Sequence, residues 1–268
     1  MGITEEMQCA GFFQALENQE FHVWYQPQVD LRSARICGAE ALVRWQRADG
    51  TTVPPDGFIP ELERNGLILR LDQEVVEIVC RDLAEAKSRG IHPGPVSVNL
   101  SGLHQDRGGI VEKVCKTARE YGVDGRDLCF ELTETAPCLY KGDCVSRLVR
   151  GLQEAGFQVS MDDYGTGCST LMMLAETEFD ILKLDRHFIS RIGEPRTDII
   201  LESTIQLARR LGMEVVAEGV ESERQADFLR EKGCFTAQGY YYFRPLVKRR
   251  FFDAAASGEW RPGYEDTL

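Results

Sequence analysis

Glu40, Asn99, Glu131, the pair Asp162–Asp163, Lys183, Glu218 and Gln238 each stand at the end of a short apolar run. Aspartate and asparagine after a strand often serve a local turn. Glutamate has little turn preference, and Glu40, Glu131 and Glu218 are embedded in apolar sequence. Gathered in one place, the carboxylates of Glu40, Glu131, Asp162, Asp163 and Glu218 repel one another. At an effective dielectric of about 20, each pair roughly 4 Å apart costs on the order of 4 kcal/mol. Either some of them take up protons or cations occupy the site. Oxygen donors with one amide, and no His or Cys nearby, suit Mg2+ or Mn2+ rather than zinc. Adjacent aspartates suit a binuclear centre, because one of them can bridge two ions. Two ions about 3.5–4 Å apart are a recurrent device for hydrolysing phosphate esters. These residues read as a two-metal phosphoesterase site, provided that the fold brings them to one rim.

The surrounding pattern supplies such a rim. Apolar runs at 22–29, 35–43, 95–100, 127–132, 157–162, 180–184, 214–218 and 234–238 are candidate strands. Helical patterns lie at 69–87 and at about 110–121, 144–155, 198–211 and 223–232. In the first, Leu71, Val75, Ile78, Val79, Leu83 and Ala86 recur close to i, i+3, i+4, i+7 spacing. Gly90, Gly122, Gly156, Gly212 and Gly233 stand where left-handed C-caps are needed. Strand–helix alternation implies a mostly parallel sheet. Eight strand candidates within about 230 residues fit a closed barrel better than an open doubly wound sheet. The first two runs are joined only by LRSA, too short for a parallel crossover, so that pair is antiparallel. The fold expected is α/β, a (β/α)8 TIM-type barrel with an antiparallel first strand.

Lys and Arg total 31 against 43 Asp and Glu, and the net charge of −12 argues against an open DNA- or RNA-binding surface. It leaves room for a small anionic ligand held by local cations. No early stretch reads as a signal peptide, and no apolar run approaches the roughly 20 residues that span a bilayer. The nine cysteines are scattered, odd in number and without a CxxC pair, so reduced core thiols in a cytoplasmic protein are expected. His22, His92, His104 and His187 do not gather at strand ends. Met172–Met173 is expected in a core or a dimer interface, and Lys248-Arg249-Arg250 as the solvated start of a last helix.

Beyond these readings, the segment YQPQVDLRSARICGAEALVRW, with E-A-L at 40–42, resembles the opening signature of the EAL-domain cyclic di-GMP phosphodiesterases. The likeness continues in order through DGFIPELERNGLI (56–68), VSVNLS (96–101), FELTET (130–135), SMDDYGTG (160–167), DILKLD (180–185), VVAEGVE (215–221) and QGYYYFRPL (238–246). It covers roughly residues 8 to 255, and a single barrel domain over 1–268 with a C-terminal tail at 256–268 is the organisation expected.

The resemblance implies that Glu40, Asn99, Glu131 and Asp162 hold one Mg2+ or Mn2+ ion. Asp162, Asp163 and Glu218 would hold a second, with Asp162 bridging. Lys183 would contact the attacking water and a scissile phosphate oxygen. Arg44 would bind a substrate phosphate, and Gln26, Leu42, Gln238 and Pro245 would line the substrate. Glu221 would support the site from behind, and Glu134 would anchor the loop at 163–167, which links metal binding to a homodimer contact. The implied reaction is hydrolysis of cyclic di-GMP to linear pGpG. The rival reading is a cyclic di-GMP receptor that binds without hydrolysing; such members lack a ligand or the lysine, and this chain keeps them all. Departures from the family pattern, such as Tyr164 for the usual Phe, Cys168-Ser169-Thr170-Leu171 for Tyr-Ser-Ser-Leu, Leu62-Glu63-Arg64-Asn65-Gly66 for Ala-Glu-Glu-Thr-Gly and Thr177-Glu178 for Leu-Pro, fall in the loop and the outer helices, and none removes a ligand.

Overall fold

A computed structural model describes residues 5–104, 109–133, 144–164 and 170–258. Its strands are β1 (Phe21–Asp30), β2 (Arg35–Gln46), β3 (Thr52–Val53), β4 (Val96–Leu100), β5 (Leu128–Thr133), β6 (Gln158–Tyr164), β7 (Ile181–Leu184), β8 (Glu214–Ala217), β9 (Thr236–Ala237) and β10 (Leu246–Val247). The order β1-β9-β8-β7-β6-β5-β4-β2 closes on itself through the β1–β2 pairing, so eight strands form a barrel. β1 runs antiparallel to both β2 and β9, and the remaining neighbours in the ring are parallel. This is the (β/α)8 TIM-type barrel with an antiparallel first strand. Closure leaves no edge within the ring, and the two-residue β3 and β10 pair outside it, on β2 and β1.

Each strand of the ring lies within one or a few residues of an apolar run in the sequence. The parallel strands are covered on both faces and so read as nearly unbroken apolar stretches; all four residues of β7 are buried. The helix Ile68–Ser88 lays Leu71, Val75, Val79, Leu83 and Ala86 against the barrel. It and Ile110–Tyr121, Cys144–Glu154, Pro195–Arg210 and Glu223–Lys232 match the helical patterns closely. Pro195 starts its helix three residues earlier than expected, because proline at a first position costs no hydrogen bond there. Gly122 and Gly233 sit at helix ends with φ of 67° and 88°, the left-handed cap their positions implied.

Two expectations are corrected. Glu40 lies in the middle of β2, not at its end, because β2 continues past the rim to pair with the start of β1 and with β3. Lys248 is not simply solvated: its ammonium bridges Asp82 (2.8 Å) and Glu85 (2.6 Å) on the long helix. Asp82 also accepts from the buried Tyr25 hydroxyl at 2.7 Å, and the Tyr25 ring stacks on Phe251 at 4.9 Å. The helix Lys248–Ser257 is thereby fixed across the outside of β1, and emptying the Phe251 site with alanine would cost about 3–5 kcal/mol. The helix Glu5–Glu17 carried no clear periodic signal; it seats Phe12 and Ala15 against the core, with Phe12 5.7 Å from Phe21.

Candidate active site

Parallel strands deliver their C-terminal ends to one rim. β4 brings Asn99, β5 Glu131, β6 Asp162 and β7 Lys183, while Glu218 follows β8 directly and Gln238 follows β9. The antiparallel β1 contributes from within its length: Gln26 is the register partner of Glu40. After β8 the chain turns sharply, and Val220 N–H donates to the Gln238 carbonyl at 3.1 Å. At Gly239 a Cβ would lie 2.2 Å from the Val220 carbonyl oxygen, so only glycine permits this approach of Gln238 to the Glu218 turn. Gly239→Ala is expected to destabilise the fold by more than about 1 kcal/mol. A thermal midpoint equal to the parent's would contradict the close approach.

Lys183 occupies the centre. Its side chain is 1% exposed, and Nζ lies 2.6 Å from Glu131 Oε2, 2.6 Å from Glu218 Oε1, 3.4 Å from Asp162 Oδ1 and 3.7 Å from Glu40 Oε2. Burial works against the ammonium, but Asp162, Glu131, Glu218 and Glu40 outweigh it and hold Lys183 charged, well above the ordinary lysine range. Glu131 is completely buried; loss of solvent, followed by the charges of Glu40, Asp162 and Glu218, raises its carboxyl well above the usual range despite Lys183. Glu218 is pushed up to about 8, by burial first and then by Asp162 and Glu40, again against the pull of Lys183.

An amide network orients Glu40. Gln238 Nε2 donates to Glu40 Oε2 at 2.6 Å and to Gln26 Oε1 at 3.2 Å, and Gln28 Nε2 donates to Gln238 Oε1 at 3.3 Å. Gln26 Nε2 in turn donates to the Phe243 carbonyl at 3.3 Å. Asn99 Nδ2 donates to the other oxygen of Glu40 at 3.2 Å. Both carboxylate oxygens are therefore held, as a ligand needs its orientation fixed in advance.

Among the described residues, no three His, Cys, Asp or Glu side chains already stand in a geometry that would hold a metal ion. The Lys183 ammonium takes the middle of the ring instead. The residues nonetheless fit divalent cations: the donors are hard oxygens, and one ammonium cannot neutralise four carboxylates. Glu131 Oε1, fully buried, is an acceptor with no hydrogen-bond partner among the described residues.

Two cavities flank this centre. One of about 420 Å³ is bordered by Leu42, Asp56, Asp72, Asn99, Ser101 and Asp162. The other, of about 200 Å³, is bordered by Gln26, Glu40, Arg186, Glu218, Gln238 and Tyr240. Glu221 is exposed and also borders the second. Arg44, half-buried beside Trp24, donates from Nη1 to the Val43 carbonyl at 2.8 Å. Pro245, half-buried, immediately precedes β10. Asp163 belongs to β6 by its backbone, but its side chain lies outside the described residues, as do Glu134 and the loop at 165–169. Met172 is exposed and Met173 buried, so that pair divides between surface and core.

Asp72, Asp56, Arg186 and Tyr240 were missed at the sequence level. Asp72 had a signal: it interrupts the apolar stripe of its helix, four residues after Ile68 and three before Val75. Asp56 lies in the 3-10 helix Pro55–Gly57, Arg186 opens the four-residue helix Arg186–Ile189 and Tyr240 lies in a turn, all too short for a periodicity to mark them.

The raised Glu218 pKa sets a pH dependence. An unfolded glutamate titrates near 4.5 and this one near 8, so its stabilising contribution is complete below the lower value and lost as pH rises through the upper one. With chelator present, the parent's thermal midpoint should fall more between about pH 6 and about pH 9 than that of Glu218→Gln. An equal fall in both proteins would contradict the shift.

The EAL domain family model matches residues 11–245. The chain is 35% identical over 238 residues to the oxygen sensor protein DosP of Escherichia coli K12, covering 88% of this chain and 30% of DosP. It is 38% identical over 245 residues to the cyclic di-GMP phosphodiesterase NbdA of Pseudomonas aeruginosa, covering 91% of this chain and 31% of NbdA. The chain thus spans about a third of the length of these curated relatives. Among solved structures, the PaMucR phosphodiesterase in complex with c-di-GMP superposes with a TM-score of 0.83 at 31% identity, over 90% of this chain and 98% of that one.

Proposed function

The chain belongs to the EAL domain family, and on that premise we propose that it is a two-metal phosphodiesterase that hydrolyses cyclic di-GMP to linear pGpG. One observation carries this reading: the four carboxylates around Lys183 lie between two cavities, with Asp162 bordering one and Glu218 the other. A cyclic dinucleotide has two base-bearing arms and phosphodiesters between them, and such a ligand can seat an arm on each side with one ester at the carboxylates.

Glu40, Asn99, Glu131 and Asp162 would hold one Mg2+ or Mn2+ ion, and Asp162, Asp163 and Glu218 a second. Bound there, the ions supply a nucleophile from water near neutral pH and neutralise phosphate charge. Lys183 keeps its proton at Nζ and donates a hydrogen bond to a scissile phosphate oxygen, stabilising charge as it develops. Gln238 and Gln26 hold Glu40 in orientation. Arg44 binds a substrate phosphate, Leu42 and Pro245 limit the space for the nucleotide, Glu221 supports the site from behind, and Glu134 anchors the loop at 163–167. Within this reading residues 1–268 form one barrel domain.

Incubation of the purified chain with cyclic di-GMP and Mn2+ or Mg2+, followed by chromatography, tests the proposal. Metal-dependent pGpG is expected, and is lost with EDTA and in Glu40→Ala. Tight binding of cyclic di-GMP without product, at saturating metal, would contradict it in favour of the receptor reading. A homodimer is proposed with it: Leu171 and Met172, 64% and 61% exposed, follow the 165–169 loop directly on the surface. Sedimentation showing only monomer at high concentration with metal and nucleotide would overturn that part.

A further inference from the structure

Asp72 and His104 are buried polar residues, 6% and 5% exposed, that no step above employs. Asp72 projects from the long helix Ile68–Ser88, and His104 lies just beyond β4. His104 Nε2 is 2.9 Å from Asp72 Oδ2, and the same oxygen accepts the Ser101 backbone N–H at 3.0 Å. The turn between them is itself tied: His104 N–H donates to the Ser101 carbonyl at 3.1 Å, and Leu103 N–H to Ser101 Oγ at 3.4 Å. Ser101 Oγ reaches Glu63 Oε1 at 3.4 Å.

Stability alone does not call for this arrangement. Well-packed apolar residues often replace a buried ion pair at no cost, and in some proteins such a pair is kept because it fixes a geometry. The geometry fixed here is the end of β4. Ser101 stands two residues beyond Asn99, and Asn99 Nδ2 reaches Glu40 Oε1 at 3.2 Å. Asp72 and Asn99 also border the same cavity of about 420 Å³. A carboxylate on a rigid helix therefore pins the backbone from which the exposed Asn99 side chain projects.

We infer that Asp72 and His104 are positioning residues of the metal site, clamping the turn after β4 so that Asn99 stands in place against Glu40. The inference rests on the proposal that Asn99 is a metal ligand, and the experiment separates the two. Mn2+ binding to the full chain is titrated by electron paramagnetic resonance, without substrate. Half-saturation should rise about tenfold or more in Asp72→Asn and in His104→Leu, the scale typical of groups that orient ligands. His104→Gln keeps an N–H donor toward Asp72 and should stay near the parent value. Asn99→Ala is run alongside. Weakened binding in Asn99→Ala with unchanged binding in Asp72→Asn and His104→Leu overturns the clamp alone. Unchanged binding in Asn99→Ala overturns the ligand assignment, and the clamp's purpose with it. Hydrogen exchange at the Ser101 amide of the unaltered protein tests the clamp without any variant. Exchange as slow as in β4 is expected, and exchange at the rate of an open turn overturns it.

Discussion

Lys183→Met is expected to lower turnover of cyclic di-GMP, the proposed substrate, by about a hundred- to a thousandfold, the usual cost of removing one preorganised donor to a developing charge. The same substitution has a second expected result. Lys183 Nζ is within 3.7 Å of Glu40, Glu131, Asp162 and Glu218, and methionine leaves those carboxylates facing one another without a cation. Removing one partner of a buried ion pair typically costs about 3–5 kcal/mol, so at about pH 9, above the Glu218 value of about 8, the metal-free variant should melt well below the parent. Mn2+ should return most of that loss, because the ions take over the neutralisation. Turnover and EDTA-dependent melting of the same preparation check both parts. Near-native turnover in Lys183→Met would remove the lysine from the chemistry. An unchanged metal-free midpoint would mean that the carboxylates are protonated and need no cation.

Glu131→Gln is expected to act in opposite directions on activity and stability. Glu131 is fully buried beside Lys183, and its carboxyl is raised well above the usual range by burial and by Glu40, Asp162 and Glu218. A group whose folded pKa lies above its unfolded value stabilises the fold at low pH and loses that contribution as pH rises. Above neutrality the native residue is therefore a cost to the metal-free fold, and the amide removes it. Three carboxylates remain for Lys183, at 2.6, 3.4 and 3.7 Å. With EDTA present near pH 8, Glu131→Gln should melt above the parent. The amide is a poorer ligand, so turnover should fall on the order of a hundredfold or more. Function held at the expense of stability is common where a site needs convergent like charges. A variant that is both less stable and fully active would reverse the assignment of Glu131.

The barrel was legible in the sequence because each buried strand leaves an apolar run and each intervening helix a 3.6-residue stripe. β3 and β10, two residues each, leave neither. The chemistry was legible for a related reason: glutamates inside apolar runs, such as Glu131 in DLCFEL, have no local explanation and so mark a gathered site. Its internal arrangement was not. Nothing in the spacing of Lys183 says that its ammonium stands at the centre of the ring, since that follows from how the closed barrel sets β7 beside β8 and one strand away from β5. The placing of Glu40 at the end of a run was wrong because a strand end in sequence and the barrel rim coincide only where strands stop at the rim, and β2 does not. Asp72 was visible as a break in an apolar stripe, but its partner His104 lies in a turn with no periodic frame.

The most direct test of the two-metal site is anomalous scattering from crystals grown with Mn2+ and cyclic di-GMP, using Lys183→Met to slow turnover. Two anomalous peaks about 3.5–4 Å apart are expected at the rim, with a scissile phosphate beside them. One peak would come against Glu40, Asn99, Glu131 and Asp162, and the other against Asp162, Asp163 and Glu218. Well-defined nucleotide at the rim with no anomalous peak among these carboxylates would contradict the two-metal site.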